Sequence, residues 1–298
     1  MSTRRIAIAG ARGFIGSALS TQLRSLGHVV LGIGRSERSE IRWEPATGAL
    51  DPRALDGVDV VVNVVGAPID QRWTADARRE IRDSRVQSTA LLARTIAALP
   101  ARPSALVNMS GIGIYGDRGD ELLDESSAAG SGFLAEVGRA WEEAAQPARD
   151  AGIRVVHPRM APVLHPDGGM LPRLLPIFRL GAGGIIGSGR QWLSWITRTD
   201  AVRGLAWLAL ESTLAGPVNL VSPQPARNAD FMRTLARVLR RPALAVVPAF
   251  AVKLLYGRMG EETVVAGQRV LPRRLLDAGF AFSLPELEAA LRYELGAG

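Results

Sequence analysis

The chain has 298 residues, 47% of them apolar, with 32 glycines, no cysteine and a formal net charge of +7. That length allows one large α/β domain with a smaller appendage, while the missing cysteine excludes disulfides, thiolate metal sites and a cysteine nucleophile, and three scattered histidines, His28, His157 and His165, make no zinc pattern. Only one of the 36 basic residues, Lys253, is a lysine, and the arginines are spread without a basic or aromatic stripe, so no nucleic-acid partner is expected.

Ile6 to Ala9 forms a first strand that runs into Gly10-Ala11-Arg12-Gly13-Phe14-Ile15-Gly16, and Phe14 to Leu23 follows at helical spacing until Gly27. His28 to Ile33 is the second strand. Glycines spaced by three let a backbone turn tightly and approach a pyrophosphate at the following helix N-terminus, so this βαβ unit predicts a dinucleotide site at Gly10, Arg12, Gly13, Phe14, Ile15 and Gly16. After the second strand stands Gly34-Arg35-Ser36, with no carboxylate from Gly27 until Glu37. An arginine where NAD sites usually place an acid predicts NADP(H), with Arg35 and Arg12 near the 2′-phosphate.

Val58 to Gly66 is a β-branched run suited to a strand buried on both faces. A helix is expected over Arg78 to Leu99, a strand over Ala105 to Ser110, a helix over Ser131 to Ala151, and a strand at Arg154 to Val156. Proline and glycine then cluster through Pro158 to Gly189, a pattern of loops and short helices over a cleft. Val218 to Val221 returns to the sheet, and the segment after Asn228 is mostly helical. The longest apolar stretch, Ala243 to Leu255, is too short to span a membrane and is interrupted by Pro248 and Lys253. Its Val246, Val247, Phe250, Leu254 and Leu255, with Leu275, Leu276, Phe280 and Phe282, are expected to dock on the body and wall the cleft. The N-terminus enters the first strand with no signal-peptide core, so a cytoplasmic protein without a membrane span is expected.

The phosphate loop, Ser110-Gly111-Ile112-Gly113-Ile114-Tyr115-Gly116, Gly132-Phe133-Leu134-Ala135-Glu136 leading to Trp141-Glu142, Gly187 to Ile196, and Gly267 to Pro272 together resemble the epimerase-family oxidoreductases. These are an atypical branch of the extended short-chain dehydrogenase/reductases with a small C-terminal domain of unassigned function. The resemblance spans essentially the whole chain. It implies a doubly wound, Rossmann-type parallel sheet over 1–160 and about 196–226, with a smaller, mostly helical substrate-side domain over about 161–195 and 227–298. It also implies a nicotinamide cofactor and a small-molecule substrate bound above the C-terminal strand ends. Val65, Gly66, Ala67 and Arg85 join the expected cofactor contacts.

Reductases of that superfamily use a serine, a tyrosine and a lysine four residues after the tyrosine. No Tyr-x-x-x-Lys exists in this chain. Ser110, at a strand end, and Tyr115 remain the catalytic candidates, with Tyr115 lacking a cationic neighbour in sequence and so expected near an ordinary phenol pKa. Glu142 is either an acid/base residue or, the reading preferred, an exposed helix residue, and Asp124-Glu125-Ser126 is a loop facing substrate or solvent. Arg190, Gln191 and Trp192, flanked by glycines, are the substrate-binding candidates, through a forked charged contact, an amide and a flat wall. Trp195 serves as a cleft wall or as an anchor between the two domains. Thr197 and Met160 to Pro162 depart from the family's usual residues. Two readings follow: an NADP(H)-dependent oxidoreductase or epimerase acting on a carbonyl or sugar-like substrate, or a non-catalytic NADPH-binding sensor or scaffold.

Overall fold

A computed structural model describes residues 2–243 and 245–297. Its main sheet is built from β1 (Arg5–Ala9), β2 (Val29–Gly34), β3 (Ile41–Glu44), β4 (Ala49–Leu50), β5 (Val60–Asn63), β6 (Ala105–Asn108), β7 (Arg154–Met160) and β8 (Gly216–Leu220). They lie in the order β8-β7-β6-β5-β1-β2-β3-β4, and Ser110–Gly111 adds a ninth, short strand beside β7. Every pairing is parallel except β3 with β4. The order reverses between β1 and β5, and such a switch point opens a crevice at the carboxyl ends of the strands.

Ile6 to Ala9 in β1 and Val61 and Val62 in β5 are wholly buried, as apolar strands covered by helices on both faces require. On one face, α1 (Phe14–Ser25) and α6 (Arg198–Leu210) pack Leu19, Leu23 and Leu205 against Ile6, Ile8 and Val62. On the other, α2 (Ala75–Ala97) and α4 (Gln146–Asp150) pack Leu92, Ile96 and Ala148 against Ala7, Val61 and Leu106. A third cluster joins Leu171, Leu175 and Phe178 of α5 (Leu171–Arg179) to Trp195, to Phe231 and Leu235 of α7 (Asn228–Val238), and to Leu291.

Three local expectations change. β5 stops at Asn63, because the Asn63 side-chain oxygen accepts from Val65 N at 3.2 Å and its amide donates to Asn108 at 2.8 Å, which turns the chain out of the ladder. The helix expected over 131–151 is two helices, α3 (Phe133–Glu143) and α4, since Pro147 has no N–H with which to continue the first. β7 runs on through Pro158 to Met160. That proline is tolerated because the ladder to β6 is interrupted there, between the Val107 and Ser110 pairings.

The C-terminal segment docks only in part. Leu275 and Phe280 enter the main core, and Asp200 holds the segment by accepting from Ser283 N and Leu284 N, each at 2.9 Å. Val246, Phe250, Leu254, Leu255 and Leu276 stay exposed, contrary to expectation; the first four lie on a strand at Ala245–Val247 and on α8 (Ala249–Tyr256), where among the large side chains only Val252 turns inward. Among the described residues no helix is long and apolar enough to cross a membrane.

Candidate functional site

The phosphate loop closes on itself through Gly13 N to Gly10 O at 2.9 Å. A Cβ on Gly16 would lie 2.1 Å from Gly10 O, so only glycine lets α1 start this close to β1, and Gly10 itself sits at φ 84°. The first turn of α1 has no side-chain cap and no acidic residue. Its leading N–H groups at Phe14, Ile15 and Gly16 therefore remain for an anion, and the loop fits a pyrophosphate. Arg12 reaches the backbone of the loop after β2, donating to Arg38 O at 2.5 Å, and Arg35 is exposed at the end of β2. One carboxylate that the sequence reading passed over also arrives here. Glu40 accepts from Gly32 N at 3.0 Å, so one of its oxygens is spent on the backbone of β2.

Across the switch point, Ala67 N donates to Ser84 Oγ at 3.0 Å and Ala67 O accepts from Arg85 at 3.0 Å. The Arg85 guanidinium lies against Gly66, 2.9 Å from where a Cβ would be, and 5.0 Å from the Trp141 ring. Burial pulls Arg85 down to about 10, so it is still charged at neutral pH. Its recorded bonds go to the carbonyls of Ala67 and Ile81, and no carboxylate pairs with it among the described residues. A half-buried cation without a counter-charge is costly, and this one lies beside Gly66 at the crevice, where an anionic or hydroxyl-rich ligand would offset that cost.

One strand further, the register sets Ser110 beside Arg159 and Arg159 beside Asn219 on neighbouring strands. Ser110 Oγ donates to Glu142 Oε1 at 2.8 Å, and Arg159 grips the same carboxylate with Nε at 2.8 Å and Nη2 at 2.9 Å. Arg159 Nη1 also donates to Tyr115 OH at 3.0 Å, and that hydroxyl donates to Asn219 Oδ1 at 2.7 Å. Glu142 is thus not the exposed helix residue the sequence suggested: its side chain is 15% exposed. Burial opposes its charge, but the bonds and charge of Arg159 outweigh burial and hold the carboxyl below its usual range. Tyr115 does have a cationic neighbour. Its complete burial nonetheless raises its pKa against the pull of Arg159, so the phenol stays protonated. Beneath the cluster, burial pushes His157 down to about 4, and Arg149 donates to its Nε2 at 2.9 Å. Glu125 does not face solvent; it is buried and accepts from Asn219 N at 2.9 Å.

The substrate candidates separate. The Gln191 amide donates to Ile186 O at 3.0 Å, which fixes its side chain within its own loop and leaves its carbonyl oxygen and second N–H. Trp192 donates to Asp120 at 2.9 Å and is covered by Arg227 at 4.0 Å and Arg269 at 4.5 Å. Trp195 is fully buried and donates to Gln224 O at 2.9 Å, an anchoring role. The Arg190 side chain alone of the predicted three makes no hydrogen bond among the described residues. Arg159 and Arg198 were missed by the sequence reading, and Glu142 was weighed there without its partner Arg159. Arg198 opens α6 and lies 5.6 Å from the ring of Phe14, at the mouth of the phosphate loop. No group of three His, Asp or Glu able to hold a metal occurs among the described residues.

A family model described as the NAD dependent epimerase/dehydratase family matches residues 6–221, and one described as a domain of unknown function (DUF1731) matches residues 247–294. Epimerase family protein MT2273 of Mycobacterium tuberculosis is 42% identical over 297 residues, covering 98% of each chain. The crystal structure of human epimerase family protein SDR39U1 (isoform 2) with NADPH superposes with a TM-score of 0.91 at 34% identity, over 98% of this chain and 99% of that one. A structure from Corynebacterium glutamicum, described as a nucleoside-diphosphate sugar epimerase, gives a TM-score of 0.83 at 34% identity, over 99% of this chain and 59% of that one.

Proposed function

The chain belongs to the NAD dependent epimerase/dehydratase family, and from that membership we propose that it is an NADP(H)-dependent oxidoreductase or epimerase acting on a carbonyl or sugar-like substrate, with a nucleotide sugar as the first class to try. The observation that carries this reading is the Ser110–Glu142–Arg159 cluster at the strand ends, next to a phosphate loop whose amides are unspent. The human relative crystallised with NADPH and the sugar-epimerase description of the C. glutamicum relative support the choice of cofactor and substrate class.

When bound, the nicotinamide supplies or takes a hydride at carbon. The protein's part is orientation. Ser110 commits its proton to Glu142, which leaves hydroxyl lone pairs to receive a substrate O–H. Glu142, held anionic by Arg159, is a weak proton acceptor; it fixes the Ser110 rotamer. Tyr115 has both sides of its hydroxyl taken by Arg159 and Asn219 and acts by positioning Arg159. Arg85 offers the cation that the superfamily's lysine would supply, and Arg190 remains for an anionic substrate group.

Deuterium placed at the transferable position of NADPH tests this. Incubation with nucleotide sugars and simple carbonyl compounds should move label stereospecifically into product or recovered substrate. Ser110→Ala should abolish the transfer while leaving NADPH affinity within about twofold, under about 0.5 kcal/mol. Tight NADPH binding with no transfer to any compound would leave the non-catalytic binding protein instead. A Ser110→Ala variant that melts early yet transfers label normally per folded molecule would make that serine structural.

A further inference from the structure

Seven of the twelve large apolar side chains exposed among the described residues come from two short segments: Ile177 and Leu180 in one, Val246, Phe250, Leu254, Leu255 and Tyr256 in the other. The two are neighbours in space. Gly184–Ile186 pairs in parallel with Ala245–Val247, a Cβ on Gly181 would lie 3.6 Å from Pro242, and one on Gly187 would lie 3.4 Å from Ala249. Exposures of 84% at Leu180, 72% at Phe250 and 77% at Leu254 exceed those of scattered surface apolar residues elsewhere in the chain, none of which passes 62%.

The charge around this face is one-sided. No aspartate or glutamate occurs between Asp167 and Asp200, or between Asp230 and Glu261, whereas these stretches carry nine arginines and Lys253. Arg173, Arg233, Arg237 and Lys253 reach carboxylates outside the two stretches. Arg179, Arg240, Arg241 and Arg258 have no ion-pair partner among the described residues, and they flank Leu180, Pro242 and the end of α8.

We propose that this face docks on an anionic lipid surface, with α8 lying in the plane of the interface. An apolar helix face bordered by unpaired cations is what such a surface attracts, through buried apolar area and the negative potential of its headgroups. Eight residues of helix are far too short to span a bilayer, so the contact is peripheral. A second copy is the poorer occupant. A two-fold interface places the same patch on both sides, and the four unpaired arginines would face their own copies while Glu261 at the end of the patch is already paired with Lys253.

The test is co-sedimentation of the full chain with vesicles. Phosphatidylcholine vesicles containing phosphatidylglycerol should retain the protein, pure phosphatidylcholine should not, and retention should fall as salt is raised. The double substitution Phe250→Glu with Leu254→Glu should weaken retention at least tenfold, and Arg240→Glu with Arg241→Glu should weaken it similarly. Melting temperature and NADPH affinity should be unchanged in both, because these side chains are exposed and none belongs to the cofactor site. Equal binding to neutral vesicles would overturn the charge argument. Absence of binding to either vesicle would overturn the proposal outright. A concentration-dependent dimer in sedimentation, abolished by the same substitutions, would overturn it in favour of a second copy.

Discussion

At the scale of single residues, Arg35 and Arg12 carry a direct prediction about cofactor choice. Both border the loop after β2, whose two carboxylates are engaged elsewhere, Glu40 by Gly32 N and Glu37 by Arg42 at 3.9 Å. A 2′-phosphate carries roughly two negative charges, and a hydrogen bond to a charged group contributes about 1.5–3 kcal/mol. NADPH should therefore bind at least about tenfold tighter than NADH, about 1.4 kcal/mol, with a preference that shrinks in salt and falls in Arg35→Ala. Calorimetric titration decides it, and equal affinities in the unmodified protein would show that the phosphate is not read. His157 makes a second prediction, on pH. It is 2% exposed and its pKa is lowered to about 4 from 6.5. Between those values the unfolded chain binds a proton that the folded one does not, so stability rises with pH across that window and is lost as pH falls through it. The full effect is about 3 kcal/mol. Denaturant midpoints from pH 7 to pH 4 should fall steeply in the native chain and less in His157→Leu; parallel curves would exclude His157 as the cause. Glu142 shows why such groups are hard to read in sequence. Helical spacing places it beside Trp141, but whether that face meets solvent or Arg159 depends on how α3 sits on the sheet, and its partner is 17 residues away.

At the scale of elements, α3 shows how a distant segment completes a local one. Its cap residue, Gly132, is at φ 103° and supplies no side-chain cap. The missing acceptors come from Glu262, whose two oxygens accept from Phe133 N at 3.1 Å and Leu134 N at 3.0 Å. A carboxylate on a helix N-terminus stabilises through both the bonds and the helix dipole. Glu262→Ala should cost about 1 kcal/mol and lower the melting temperature by about 2 °C, with Glu262→Gln falling between; an unchanged melting point would show that water replaces the side chain without loss. The alternation of strands and helices was legible because each parallel strand is a buried apolar run and each helix an amphipathic one. The ends were not. β5 stops where Asn63 bonds sideways to Val65 and Asn108, and β7 continues through a proline that only an interrupted ladder tolerates. The phosphate loop was readable for the opposite reason: its glycines are demanded by contacts within a few residues, such as Gly16 against Gly10.

At the scale of the whole molecule, the C-terminal quarter is part of the core. Val270, Leu275 and Phe280 share a cluster with Ile6 and Ile8, and Ala290 and Leu291 share one with Trp195. Removing everything from Arg241 onward should expose those clusters and cause aggregation; a truncated protein that stayed monomeric with an unchanged melting point would refute this. The sequence suggested that the segment packs on the body, and it could not tell Leu275 from Leu276, because one step along a short helix decides which is buried. The joining of Ile6 to Phe280 in one cluster also fixes a timetable. Synthesis at roughly 5–20 residues per second needs on the order of tens of seconds to make this chain. For most of that interval β1 and the phosphate loop are already made while the residues that seal their core are still untranslated. The nascent chain thus carries a finished cofactor motif on an open core, and its exposure to aggregation during birth is set by the speed of translation rather than by the stability of the completed fold.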